Sequence, residues 1–225
     1  MLTAVLERVL AAPLPPGCGK EVIVVDDGST DGTAQLLAAW DRPAAIRILR
    51  SETNRGKGAA IRLGIAASSG DFILIQDGDL EYDPRDYLKL IEPLVSGREN
   101  VVYGSRFRGG VSGMKLANWI ANKSLAAAAN LLYRACITDE ATAYKAFRAS
   151  VLKTIPLQCA RFEFCPEVTA KVRRRGYRIH EVPISYNPRR VVDGKKIRWT
   201  DGFVALWTLV KYRFAPLDGC RERDR

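Results

Sequence analysis

The first hundred residues alternate short apolar runs with helix-patterned stretches, and acidic turns stand where two of the runs end. Glu21-Val22-Ile23-Val24-Val25-Asp26 reads as a buried strand, and Asp31 or Thr33 caps a helix running to about Trp40. Ile46 to Leu49 is the next strand and Gly58 to Ala67 the next helix. Phe72 to Gln76 is a strand, and Pro84 opens a helix with Tyr87, Leu88, Ile91 and Leu94 on one face. Val101-Val102-Tyr103 follows as another strand, and Leu2 to Leu10 has helical spacing before Pro13-Leu14-Pro15-Pro16-Gly17 breaks it. This alternation predicts an α/β fold, a mainly parallel sheet flanked by helices. Ligands of such sheets bind beyond the carboxyl ends of the strands. Asp26-Asp27 and Asp77-Gly78-Asp79 sit at two such ends.

The second cluster carries the sharper chemistry. Asp77 and Asp79, spaced i, i+2 after a strand, point the same way, and Glu81 keeps their parity. Three acids facing one spot repel unless a cation joins them, and oxygen-only ligands favour Mg²⁺ or Mn²⁺. Asp27, Gly28 and Ser29 form a strand-to-helix turn whose short acids and hydroxyl can accept ribose or base protons. Asn54-Arg55-Gly56-Lys57-Gly58 opens a helix with bared amides and the cation of Lys57, a resting place for phosphate. The spacing is not that of a P-loop, and no G-x-G-x-x-G is present, which disfavours a dinucleotide dehydrogenase.

Charge is unevenly distributed. Residues 1–100 carry 11 Lys and Arg against 15 Asp and Glu, and the remainder carries 24 against 10. The basic half suits nucleic acid, anionic lipid or a phosphorylated substrate. Acids ordered at strand ends repel a nucleic-acid backbone unless metal-loaded, so no nucleic-acid partner is expected. Five cysteines without C-x-x-C spacing read as free thiols of a reducing compartment. No signal peptide and no apolar run of eighteen stand in the sequence. A single histidine, His180, argues against a Ser-His or Cys-His relay and belongs to a strand as a structural residue.

These motifs, taken in order, resemble family 2 glycosyltransferases of the GT-A fold: V-V-D-D-G-S-T-D-G-T, N-x-G-K-G-x-A, then D-x-D-L-E. Tyr103-Gly104-Ser105-Arg106-Phe107, the segment from Thr138-Asp139 to Phe147-Arg148, and Phe162-Glu163-Phe164-Cys165-Pro166-Glu167 are similar to the dolichyl/polyprenyl-phosphate sugar synthase branch. So are Glu181-Val182-Pro183-Ile184-Ser185-Tyr186 and Gly194-Lys195-Lys196-Ile197-Arg198-Trp199. The resemblance covers Leu2 to Phe214 and implies one domain over 1–214, with a donor-nucleotide half (1–105), an acceptor half (106–214) and a polar tail over 215–225.

The resemblance implies transfer of a hexose, with inversion, from GDP-mannose or a UDP-hexose to a polyprenyl or dolichyl phosphate. By likeness Asp27 holds the donor nucleoside, and Asp77, Asp79 and Glu81 surround the metal bridging its diphosphate. Arg190, Lys195 and Lys196 lie in a loop similar to those that close over the diphosphate. Arg106, whose planar fork suits phosphate, is the first choice for the acceptor group, with Ser124 and Lys123 next. A surface role for Arg106 is the alternative.

Two helices are candidates for a peripheral seat on the cytoplasmic face of a membrane. One is Met114 to Tyr133, with Trp119, Ile120, Leu125, Leu131 and Leu132. The other is Thr200 to Phe214, with Phe203, Leu206, Trp207, Val210 and Phe214. Packing against the core suits both equally, the former through Ala126 to Ala129. A rival reading is transfer to a sugar hydroxyl in cell-surface polysaccharide synthesis, with Asp139 or Glu140 as base.

The sequence departs from the family at its start. Family members begin with a strand ending in a P-x-[YF]-N-E type motif, and Met1-Leu2-Thr3 leads directly into the first helix. The expectation is a sheet lacking an inner strand, with weak donor binding and poor solubility, or a truncated inactive homologue.

Overall fold

Apolar side chains at i, i+3 and i+4 make α1 (Leu2–Ala11) amphipathic, with Val5, Leu6 and Val9 turned inward. The structure, a computed structural model, describes residues 1–40, 44–110, 113–188 and 199–216. Lys20 closes the end of α1, its Nζ donating to the carbonyls of Val9, Leu10 and Ala12 at 2.5, 3.0 and 2.8 Å. That is where a cation best meets the negative end of the helix dipole.

β1 (Val22–Asp26) and β2 (Ile46–Arg50) pair in parallel, with α2 (Thr33–Ala39) between them. Asp31 Oδ1 holds the first turn of α2, accepting from the Thr33 amide at 3.2 Å and its hydroxyl at 2.6 Å. α3 (Lys57–Ala67) leads into β3 (Phe72–Leu74), and a single 3₁₀ turn at Pro84–Asp86 leads into α4 (Tyr87–Val95). The inward side chains of α4 are Tyr87, Leu90, Ile91 and Leu94; Leu88, expected among them, is exposed. Positions 87, 90, 91 and 94 keep the i, i+3, i+4, i+7 spacing of one helical face, and 88 lies off it.

β4 (Val101–Ser105) runs into the short α5 (Arg106–Gly109), followed by α6 (Leu116–Tyr133), β5 (Lys145–Arg148) and α7 (Ala149–Leu152). α8 (Phe164–Arg174), β6 (His180–Pro183) and α9 (Trp199–Phe214) complete the order. The second sheet runs β3-β5-β4-β6, with β5 antiparallel to both neighbours and β4 parallel to β6. Strict alternation therefore stops at β5. Lys145-Ala146-Phe147-Arg148 is too short to announce itself, yet it is the strand that joins β3 to β4.

Both faces of this sheet are covered, and side chains alternate between them. Val101, Tyr103, Phe147 and Ile73 join the core under α6, α8 and α9. Val102, Tyr144, Ala146 and the half-buried Phe72 and Leu74 join the core under α1 and α4. Among the described residues β1 pairs with β2 alone and β3 with β5 alone, so the sheet is interrupted between β1 and β3. Glu21, just before β1, spans the interruption: its carboxylate accepts from the Ser69 amide at 2.9 Å and its hydroxyl at 3.0 Å.

One buried carboxylate organises the loop before α8. Glu167 accepts from the amides of Gln158 at 2.8 Å and Cys159 at 2.7 Å, and pairs with Lys171 at 2.5 Å. Burial works against its charge, but Lys171 and the Gln158 amide outweigh that and hold its pKa below the usual glutamate value. A depressed folded-state pKa stabilises the fold above the unfolded value near about 4.3, and that contribution is lost as pH falls through the folded-state value. Glu167→Ala leaves Lys171 buried without its partner, and urea denaturation is expected to show a loss of about 3–5 kcal/mol at neutral pH. Glu167→Gln is expected to flatten the acid limb of the stability profile.

Candidate functional site

β1 and β3 both deliver acids at their carboxyl ends, and the start of α3 lies between the two deliveries. Asp26, the last residue of β1, is buried, and its Oδ1 accepts from the Ser29 amide at 2.9 Å, closing the turn that carries Gly28. Gly28 has φ +67°, and a Cβ there would stand 2.8 Å from the Asn54 nitrogen, so only glycine fits. Asp27 reaches across to the next loop. Its Oδ1 accepts from the Arg55 amide at 3.0 Å and its Oδ2 from the Gly56 amide at 2.6 Å.

That contact revises the reading of the Asn54-Arg55-Gly56-Lys57-Gly58 turn. Two of the amides expected to cradle a phosphate are taken by Asp27, and the Ala59 amide donates to the Ala160 carbonyl at 3.0 Å. The glycines are required by packing. A Cβ on Gly56 would lie 2.5 Å from the Ala160 oxygen, and one on Gly58 2.9 Å from the Arg161 oxygen. The backbone of Ala160 and Arg161 presses on the start of α3, and Glu167 holds that loop by the preceding amides. Sequence reasoning assigned the glycines to a ligand because close backbone approach leaves the same signature whichever partner approaches.

The Lys57 side chain, by contrast, reaches Asp77. Its Nζ lies 2.6 Å from Asp77 Oδ1 and 2.8 Å from Oδ2, with about a third of the lysine side chain exposed. Burial works to lower its pKa, and Asp77, followed by Cys165 and Asp79, outweighs that and leaves it raised. Asp77 is fixed from behind by Gln76, a residue the sequence did not single out for a role. The Gln76 amide nitrogen donates to the Asp77 carbonyl at 2.8 Å, while its Oε1 accepts from the hydroxyls of Tyr87 at 2.8 Å and Tyr144 at 2.7 Å.

Asp79 is buried, and its Oδ1 accepts from the Glu81 amide at 3.0 Å, so it shapes the turn it belongs to. Glu81 lies 3.5 Å from the Tyr186 hydroxyl. Among the described residues no three acids converge as a metal cage, so Asp77, Asp79 and Glu81 do not form the enclosed trio that parity suggested. The turn after β3 departs from strand geometry, and parity does not persist through a turn.

Arg106 follows β4 as expected, but it is buried rather than open to a phosphate. Its Nε and Nη2 each donate to Asp139 at 2.7 Å, and its own amide donates to the same carboxylate at 3.0 Å. The Tyr186 ring stacks 5.1 Å from the guanidinium carbon. Asp139 is fixed in turn by Glu181, whose carboxylate accepts from the amides of Thr138 and Asp139. The mates of Arg106 went unassigned in the sequence, although both Asp139 and Glu181 stand inside motifs it displayed.

The same burial withdraws the two side chains named as base for transfer to a sugar hydroxyl. Asp139 is fully buried and paired, and burial pushes the Glu140 carboxyl up among Thr169 and Lys145. Neither is an open base for a sugar hydroxyl. Of the residues expected at an acceptor phosphate, Lys123 lies on α6 with Nζ 3.9 Å from the Phe107 ring centre, and Ser124 beside it is exposed. Arg190, Lys195 and Lys196 lie outside the described residues, as does most of the expected polar tail.

A family model for glycosyl transferase family 2 matches residues 1–155. The undecaprenyl-phosphate mannosyltransferase of Micrococcus luteus is 31% identical over 189 residues, which cover 78% of this chain and 75% of that protein. The dodecaprenyl-phosphate galacturonate synthase of Rhizobium johnstonii is 30% identical over 82% of this chain and 54% of that protein. The dolichol-phosphate mannosyltransferase of Pyrococcus furiosus is 27% identical over 80% of this chain and 51% of that protein. The chain thus spans about half the length of the latter two relatives. Among solved structures, glucosyl-3-phosphoglycerate synthase of Mycobacterium tuberculosis with UDP superposes with a TM-score of 0.73 at 21% identity, over 97% of this chain and 77% of that one. The same enzyme with Mn²⁺, UDP and phosphoglyceric acid gives 0.68 at 22% identity, over 97% and 75%.

Asp139→Ala is expected to cost about 3–5 kcal/mol in urea denaturation, because it strands the Arg106 guanidinium without a counter-charge. Adding Arg106→Met is expected to recover much of that loss, and strictly additive losses would show the two residues to be uncoupled.

Proposed function

The chain belongs to glycosyl transferase family 2 and has the GT-A fold, and from that footing we propose that it moves a hexose from a nucleotide sugar to a polyprenyl phosphate. The observation that carries the reading is the Lys57–Asp77 pair at the carboxyl end of β3, beside Asp79 and facing the Asp27 turn. The named lipid-phosphate transferases among its relatives support the acceptor class.

A divalent ion, Mg²⁺ or Mn²⁺, suits the donor chemistry of the site. Asp77 and Asp79 offer hard oxygens, and an ammonium already stands 2.6 Å from one of them. Such ions are commonly held by one or two carboxylates completed by substrate phosphates, which agrees with the lack of a three-acid cage among the described residues. When bound, the ion neutralises charge on the departing diphosphate. In the proposed complex Asp77 and Asp79 would hold it, with Glu81 at the margin.

In the proposed reaction an ionised phosphate oxygen of the acceptor attacks the anomeric carbon from the side opposite the diphosphate. The new C–O bond forms as the bond to the nucleoside diphosphate breaks, and the configuration inverts. The acceptor arrives ionised near neutral pH, so no side chain has to remove a proton. That accords with the buried state of Asp139 and Glu140. The residues' work is positioning and electrostatic. Asp27 and Gln76 fix the two turns, Lys57 supplies positive charge at the diphosphate, and Arg106 braces the acceptor side through Asp139. Lys123 is the cation proposed to meet the acceptor phosphate.

A lipid acceptor needs a seat at a membrane. No described helix is long and apolar enough to cross one. α6 and α9 pack together, sharing a contact from the Tyr133 hydroxyl to the Leu209 carbonyl, and Ala126 and Ala129 bury the inner side of α6. Their outer sides carry exposed Leu116, Trp119 and Ile120 on α6 and Phe203, Trp207 and Phe214 on α9. The spacing of 203, 207 and 214 puts the last three on one stripe, with Lys211 and Arg213 nearby. Apolar rings beside cations suit an anionic cytoplasmic leaflet.

Incubation with Mn²⁺, a panel of labelled nucleotide sugars and undecaprenyl or dolichyl phosphate is expected to give organic-extractable label. Asp79→Asn is expected to abolish it, and persistence of label in that variant would remove the metal role. Phe203→Ser with Trp207→Ser is expected to release the protein from anionic vesicles in flotation while leaving its thermal melt in place; undiminished binding would discard the α9 stripe as a membrane contact.

A further inference from the structure

Lys57 stands where a metal ion would meet Asp77. Its ammonium faces both carboxylate oxygens, at 2.6 and 2.8 Å, and so occupies the side from which a divalent ion would meet both. We propose that Lys57 is a resident counter-cation of Asp77 that yields its place to a divalent ion only when a nucleoside diphosphate arrives to accept the lysine. The inference rests on the donor reading above and adds to it an obligatory exchange.

Three observations carry it. The first is that the backbone of Lys57 is pinned while its side chain is not. Asp27 holds the amides of Arg55 and Gly56, the Ala59 amide is bound to Ala160, and Gly58 is wedged against the backbone of residues 159–161. The lysine side chain itself is about a third exposed and Asp77 about a fifth. Exchange therefore needs only rotation of a four-carbon stem about a fixed anchor.

The second is electrostatic. A divalent ion at Asp77 with the ammonium still in place sets two positive charges within a few ångströms, and that repulsion offsets much of the attraction to one carboxylate. Asp79 also contributes to holding the lysine charge. Displaced from Asp77, the ammonium is best stabilised by a further anion, and the amides at the start of α3, being donors, do not attract it. A diphosphate supplies that anion.

The third is the ligand count. With no three acids converging among the described residues, the protein alone offers a metal few oxygens. The diphosphate would therefore contribute twice, once by completing the metal's ligands and once by receiving Lys57. By linkage the metal tightens the nucleotide as much as the nucleotide tightens the metal.

The test is Mn²⁺ binding by the whole chain, read from the electron paramagnetic resonance signal of free Mn²⁺, with and without UDP or GDP. For the wild type, weak binding of Mn²⁺ alone and tightening of about ten-fold or more with nucleotide are expected. Lys57→Gln is expected to tighten Mn²⁺ alone by about ten-fold and to shrink the added effect of nucleotide to less than about three-fold. Lys57→Arg, which keeps the cation, is expected to behave as wild type.

If nucleotide tightens Mn²⁺ on the wild type but Lys57→Gln leaves binding of Mn²⁺ alone unchanged or weaker, the exchange is overturned and the donor reading stands. If neither protein binds Mn²⁺ or nucleotide under any condition, both fall. A measurement on the unsubstituted chain guards against a misfolded variant. After reductive ¹³C-dimethylation, the Lys57 resonance is expected to shift on addition of Mg²⁺ with nucleotide and to stay in place with Mg²⁺ alone. A full shift with Mg²⁺ alone would overturn the proposal.

Discussion

The architecture depends on one short segment that holds two acidic strand ends in a common frame. Asp27, beyond β1, grips the amides of Arg55 and Gly56, and the next residue, Lys57, grips Asp77 beyond β3. The strands themselves do not pair with each other. Geometry that hydrogen-bond ladders supply elsewhere in an α/β sheet is supplied here by two carboxylates and one lysine. Both contacts are charge-assisted, which makes them short and directional.

The supporting residues form a second tier, and they are polar groups placed where apolar ones would be expected. Glu167 fixes the loop that presses on Gly56 and Gly58; Glu181 fixes the amides of Thr138 and Asp139; Asp139 fixes Arg106; Gln76 fixes Asp77. A buried carboxylate that accepts two or three amide hydrogens dictates the path of a loop more tightly than apolar packing can, because misplacing the loop leaves a charge unsatisfied. Glu167 and Glu181 are two such clamps.

This tier marks the boundary of what could be read from residues alone. The alternation through β4, the existence of α2 and the acidic ends after β1 and β3 were legible because each has a local signal, period or turn chemistry, although the residue at the N-cap of α2 is Gly32 rather than Asp31 or Thr33. β5 was not, since four residues with lysine at one end and arginine at the other have no period to detect. Arg106 was correctly placed after a strand and wrongly imagined as open, because a guanidinium that recognises a phosphate and one that answers a buried aspartate are the same residue in a sequence. Glycines 56 and 58 were read as baring amides for a phosphate, because the backbone that presses on them, at Ala160, lies about a hundred residues downstream. Local signals report what a residue permits; the partner is a property of the tertiary fold.

The interruption between β1 and β3 has a mechanical consequence. A two-stranded sheet has little stability of its own. β1 and β2 are therefore tethered to the larger sheet through helices and side chains rather than through a shared ladder, with Glu21 at one end and Lys57 at the other. Such a unit is expected to open at lower free energy than the four-stranded sheet. Amide exchange is therefore expected to be faster across β1 and β2 than across β4 and β5, and a nucleotide bound at the Asp27 turn would slow it.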